Sequence, residues 1–219
     1  MLIAASLATA LLVTAAGAAP VTTLPPMIVN VSVSSDVSPY LVRLMLAETD
    51  AVWRTTGFVF VWRRPARTGE PYDCEAGPGL PSTLRVVVGD EAGSADDGNL
   101  PLGWITFDDE TSPQQEIHVS FANAVALMAR SAGVVGSAER MPPAQRDTLL
   151  ARVMGRALAH ELGHYLFASK AHSPAGLMMA SHTAAEFFGV ERSRFSIDPA
   201  QRAQLAARVK NGRQLASHG

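Results

Sequence analysis

The chain has a single cysteine, Cys74, in 219 residues. No internal disulfide can form, so the fold must rest on a buried core, which a chain of this length can build. Charge is also scarce: Asp, Glu, Lys and Arg make up 17% and the formal net charge is -2. That balance excludes the basic surface expected of a nucleic-acid binder and the polybasic patch of a protein held on an anionic membrane. No internal repeat is visible, and beyond the N-terminus no apolar run is long enough to cross a bilayer. With 47% hydrophobic residues the composition is that of a globular protein, too apolar for disorder.

The N-terminus stands apart. Residues 2–13, LIAASLATALLV, carry no charge, and Ala16-Gly17-Ala18 follows as an A-x-A pattern. This predicts a secretory signal peptide over residues 1–18, cleaved after Ala18, and a secreted or periplasmic protein that leaves the membrane on cleavage. Residues 19–219 are then expected to form one domain. Cys74 falls in PYDCEAGPG, a loop-like segment with nothing near it to activate a thiol.

MIVNVSVS (27–34) alternates as a strand does, and further strands are expected at 58–62, 83–90, 102–109 and 116–121. Ser38-Pro39 is placed to cap a helix over about 40–55, and NAVALMAR (123–130) begins another. Pro142-Pro143 opens a long helix running to about Phe167. Residues 169–182 lack a regular pattern, and TAAEFF is expected to form a helical turn. Asp198-Pro199 starts a final helix, predicted to run to about Lys210 and stop at Asn211-Gly212. This order gives an α+β (α/β-like) fold, a sheet with helices behind it. The last 50 residues or so are too few to fold alone and should dock on the rest.

The long helix carries the chemistry. At about 100° per residue, Leu149, Leu150, Val153, Met154, Ala157, Leu158, Leu162 and Tyr165 fill a wide apolar arc, while Arg152 and Arg156 share the opposite side. His160, Glu161 and His164 of HELGH fall on the apolar side. Ionisable side chains there are costly unless they are paired or bind a metal. Residues i and i+4 lie one above the other on a helix, so two imidazoles at that spacing can converge on one ion. Glu161 is rotated about 100° away, too far round to be a third ligand, but it can reach a water on the metal as general base.

A catalytic zinc site needs a third protein ligand. His172 lies eight residues beyond His164 and can serve only if the chain leaves the helix and folds back, which Pro174 and Gly176 permit. Glu186 in TAAEFF is a rival, and His182 is another.

HELGH, a later His followed by Ser, and then Gly-Leu-Met resemble the metzincin zinc metallopeptidases, most nearly the matrixin-like ones. The longer spacing, HELGH…HS…GLM, is similar to that of uncharacterised exported bacterial proteins. The resemblance implies a mixed, mostly parallel twisted sheet with an antiparallel edge strand. It also implies a backing helix, an active-site helix and a small C-terminal subdomain, with the upper part at about 27–168 and the lower at about 169–219. It implies Zn2+ held by His160, His164 and His172, Glu161 as catalytic base, and Met178, or else Met179, as the turn methionine beneath the metal. It implies that LGWITFDD is the edge strand on which a peptide or protein substrate lies. The chain departs from the family motif H-E-x-x-H-x-x-G-x-x-H at two places. The motif's glycine falls at Phe167 and its third histidine at Lys170.

These readings lead to an exported, monomeric zinc-dependent endopeptidase. A non-catalytic secreted zinc-binding domain, a gluzincin-type peptidase using Glu186, and a zinc hydrolase of non-peptide amides are the alternatives. His118 and His218 are expected to be structural or solvated. Asp108, Asp109 and Glu110 lack the ligand spacing of a calcium loop and read as a solvated turn.

Overall fold

The computed structural model describes residues 26–63, 84–93 and 101–216, with helix side chains described as far as residue 208. The N-terminal segment with its expected cleavage site, Cys74 and His218 lie outside those residues.

Strand β1 (Met27–Val33) buries Val29 and Val31 on one face and is followed directly by helix α1 (Pro39–Trp53). Ser38 caps that helix as expected, its Oγ accepting from the Leu41 N–H at 3.1 Å. The next strands are β2 (Phe60–Arg63), β3 (Leu84–Gly89), β4 (Gly103–Phe107) and β5 (Pro113–Ser120). They form one sheet in the order β2-β1-β3-β5-β4. β1, β2, β3 and β5 are parallel, and β4 pairs antiparallel with β5 at the edge. The fold is thus mixed and mostly parallel, with the antiparallel edge strand that was expected.

Helix α2 (Phe121–Arg130) follows β5, and a one-turn helix α3 (Ala132–Val135) leads toward the long helix α4 (Pro143–Phe167). α1 and α4 pack together against the sheet face that buries Val29, Val31, Leu84, Val86, Val88, Ile117 and Val119. Each such side chain contributes roughly 2 kcal/mol by leaving water. Gly155 lets the two helices meet. A Cβ there would lie 2.6 Å from the Met45 carbonyl and 2.7 Å from Glu48 Cβ. The contact is tied by Thr49 Oγ1 donating to the Gly155 carbonyl at 3.0 Å and Trp53 Nε1 donating to that of Ala159 at 3.1 Å.

The C-terminal part comprises the short helix α5 (Ala184–Phe188) and helix α6 (Pro199–Ala216). It docks through Leu177, Met178, Phe188, Phe195, Ile197 and Leu205, all buried in the same core.

Two local expectations are corrected. α6 does not stop at Asn211-Gly212 but continues to Ala216. One interior glycine costs a helix only about 1 kcal/mol, and flanking Arg, Gln, Leu and Ala favour continuation. Arg156, placed by periodicity on the side away from the apolar arc, is fully buried. A 3.6-residue pattern locates the polar face of a helix but does not show that the C-terminal segment folds over it.

Candidate metal centre

His160 and His164 sit one turn apart on α4, one half-buried and one buried, with Nε2 atoms 3.0 Å apart. Each ring is fixed from behind. His160 Nδ1–H donates to the Leu177 carbonyl at 2.8 Å, and His164 Nδ1–H donates to that of Ser169 at 2.7 Å. With both Nδ1 atoms carrying the proton, both Nε2 atoms present lone pairs to each other. Two acceptors that close repel unless a cation lies between them. Burial, before any other cause, holds the His160 pKa down at about 4 and lowers that of His164, so both rings are neutral, as ligands must be.

The chain reaches His172 by an unusual helix end. α4 terminates at Ala168 in the left-handed region (φ 46°), where the Ala168 N–H donates to the Tyr165 carbonyl and the Ser169 N–H to that of His164, both at 3.2 Å. A left-handed non-glycine residue costs about 1–2 kcal/mol. This turn replaces the glycine missing at Phe167. The return path is then pinned by the Ser173 N–H donating to the Met178 carbonyl at 2.7 Å and the Leu177 N–H donating to that of Ser196 at 2.9 Å.

His172 arrives exposed on the solvent side, its ring centroid 5.4 Å from that of His160 and 5.0 Å from that of His164. One nitrogen from each of the three rings lies within 4.8 Å of the others, and among the described residues this is the one group of three or more His, Cys, Asp or Glu side chains placed to hold a metal ion. Tetrahedral zinc bonds of about 2.0–2.1 Å put ligand nitrogens about 3.3 Å apart, so the donor set fits a small divalent cation.

Met178 is buried against α4 at Gly163. Its thioether lies where a Cβ on Gly163 would be, so the glycine of HELGH makes room for it. Met179 lines the cavity instead.

Glu161 is 8% exposed and faces the edge strand. The Ile105 N–H donates to its carboxylate, but burial dominates and raises its pKa to about 8. Gly103 permits the approach, since a Cβ there would lie 3.1 Å from Glu161 Cγ.

The remaining candidates lie elsewhere. Glu186 is spent on a capping box, accepting from the Thr183 N–H at 2.9 Å and hydroxyl at 3.1 Å, and it faces Arg194 at 3.5 Å. His182 lies outside the metal group, with its ring stacked on Phe195. His118 stacks on Trp104 at 4.8 Å and meets Glu116 at 3.0 Å. Asp109 accepts from the Thr111 N–H and the Ser112 hydroxyl within its own turn, and Glu110 reaches Lys170 at 3.5 Å.

Sequence reasoning missed Glu48. It holds buried Arg156 at 2.9 Å on one oxygen and Arg192 at 2.6 Å on the other. Arg156 further donates to the carbonyls of Glu186, Phe187 and Glu191 and lies 4.7 Å from the Phe195 ring centroid. This hub fastens the C-terminal part to α4 beside the metal group. Glu48 falls within the buried face of α1, which is the one signal a sequence could offer.

The three histidines and Glu161 line a single open cavity of about 760 Å³, walled on one side by β4 and on the other by residues 179–182, Phe187 and Phe195. The three histidines thus stand on α4 and the segment that follows it, beside the antiparallel edge of a mixed, mostly parallel sheet. No known family model matches the sequence, and no curated protein does. Among solved structures the chain is similar to the crystal structure of archaemetzincin from Methanopyrus kandleri, with a TM-score of 0.50 over 84% of this chain and 96% of that one. At 17% identity that likeness shows the fold.

Proposed function

We propose that this chain is an exported, matrixin-like zinc endopeptidase, acting as a monomer on peptide or protein substrates. The observation that carries the reading is the pair of inward-facing Nε2 lone pairs, with a third histidine beside them and a carboxyl on the cavity wall. His160, His164 and His172 would hold the ion, leaving a position open toward the cavity. When bound, zinc supplies Lewis-acid polarisation of the scissile carbonyl and a positive charge that makes a nearby water and the Glu161 carboxyl more acidic.

Glu161 takes the proton from the attacking water and delivers it to the leaving amine. The Ile105 N–H orients that carboxylate. β4, the sheet edge that lines the cavity, offers its free backbone groups to an extended substrate as an added antiparallel strand. The uncharged run and A-x-A pattern at the N-terminus support export. No helix among the described residues is long and apolar enough to cross a membrane.

The test is a peptide library with zinc-loaded protein. Cleavage should fall about 10²–10⁴-fold in Glu161→Ala with zinc retained. Zinc retained in both proteins, with no peptide cleaved by the unmutated one, would remove the peptidase reading and leave a zinc-binding domain. His172→Ala should weaken zinc binding and Glu186→Ala should not. The reverse pattern would make the site gluzincin-like.

A further inference from the structure

One polar side chain in the cavity has no role in the reading above. The His182 side chain is 4% exposed, yet the residue lines the cavity along with Glu161 and the metal group. Its ring stacks on Phe195 with centroids 4.2 Å apart and meets the edge of Phe187 at 5.7 Å. Nδ1 lies 3.7 Å from Glu186 Oε2, beyond hydrogen-bond length, and neither ring nitrogen has a hydrogen-bond partner among the described residues. Buried polar atoms are nearly always paired, because an orphan forfeits its hydration. An orphaned imidazole in a cavity wall is therefore a place for a ligand group.

The surroundings say which kind. Phe187, Phe195 and Leu127 also line the cavity, which suits a large flat side chain. Burial lowers the His182 pKa, with the Glu186 carboxylate and the nearby Leu177 carbonyl opposing it, so the ring is neutral. The negative charge of Glu186 favours the proton on Nδ1, the nitrogen that faces it. Nε2 is then an acceptor and calls for a donor. Arg156 and Arg130, which line the same cavity, disfavour a cationic donor.

We propose that His182 is a specificity-determining residue, its Nε2 accepting a hydrogen bond from a substrate side chain that is large, flat and tipped with a neutral hydroxyl, tyrosine being the match. The proposal rests on the reading of the cavity as a peptide cleft. A site built to bond a hydroxyl discriminates against the analogue lacking it, because its own polar atom is then left unpaired.

The test uses binding rather than turnover. Zinc-loaded Glu161→Gln protein is titrated calorimetrically with two capped pentapeptides, Gly-Ala-Tyr-Ala-Gly and the same with Phe, so that one large side chain is available. The Tyr peptide should bind about tenfold tighter. His182→Phe should bring the two within about twofold, and His182→Gln, which keeps an acceptor, should restore part of the difference. A Tyr preference unchanged in both variants, or no preference in the starting protein, overturns the role of His182 while leaving the cleft. Binding of neither peptide overturns both.

Discussion

Arg156 and Glu161 lie five positions apart on α4, both buried, and the fold treats them in opposite ways. Arg156 has a carboxylate from Glu48, three backbone carbonyls and an aromatic face. Glu161 has one N–H, from Ile105, and burial drives its carboxyl up to about 8. The same helix can therefore satisfy a buried charge from within the protein. Where it does not, beside two histidines whose lone pairs face each other, the arrangement suits a cation. A buried pair that closes on itself is architecture; one that stays open is a site.

The largest expected effect breaks the closed side. Arg156→Met takes from Glu48 its one fully buried partner, leaving it only half-exposed Arg192, and should cost about 3–5 kcal/mol. Adding Glu48→Met should recover part of that loss, because no buried charge then lacks its partner. Urea denaturation of the single and double variants checks this. A double variant no more stable than the single would show that the guanidinium's backbone bonds, not its charge, hold the C-terminal part.

The next effect sharpens the open side. In the metal-free protein, Glu161 titrates near 8 when folded and near 4.5 when unfolded. Between those values the unfolded chain releases a proton that the folded chain keeps, so stability falls as pH rises from about 4.5 to about 8. The slope is about 1.4 kcal/mol per pH unit, or about 3 kcal/mol lost by neutral pH. His160 acts in the opposite sense, its stability contribution being lost as pH falls from 6.5 toward 4. Glu161→Gln removes only the first component. The stability gap between variant and parent should therefore widen with pH, and parallel denaturation curves from about pH 5 to 8 would refute it.

The smallest effect concerns the turn that delivers His172. Ala168→Gly relieves a left-handed alanine at about 1–2 kcal/mol but adds about 0.5–1 kcal/mol of unfolded-state freedom. A net gain of about 0.5–1 kcal/mol is expected in thermal denaturation, with zinc affinity unchanged. A loss of affinity would mean that the alanine itself sets the position of His172.

Much of the framework was legible because it is written in local patterns. Ser38 and Pro143 sit at helix starts, Val29 and Val31 alternate in a strand, and the HELGH histidines share a face at i and i+4. Other features have no local signature. The left-handed exit at Ala168 carries none of the glycine that usually announces it. Arg156 looks like a solvent-facing residue because its partners, Glu48 and the carbonyls near Glu186, lie more than 25 residues away along the chain. The α6 extension was missed because an Asn-Gly pair usually ends a helix, and here its cost was too small to do so.

The sequence by itself determined that two imidazoles and a carboxyl would meet on the buried side of one long helix, since helical geometry fixes residues four apart. Only the tertiary structure decided what completes them. It folded residues 168–179 back so that His172 joins the pair and Met178 slides beneath Gly163. It brought β4 against Glu161, and it left His182 facing the cavity without a partner. Those placements depend on contacts between segments far apart in the chain, and no spacing rule along one segment encodes them.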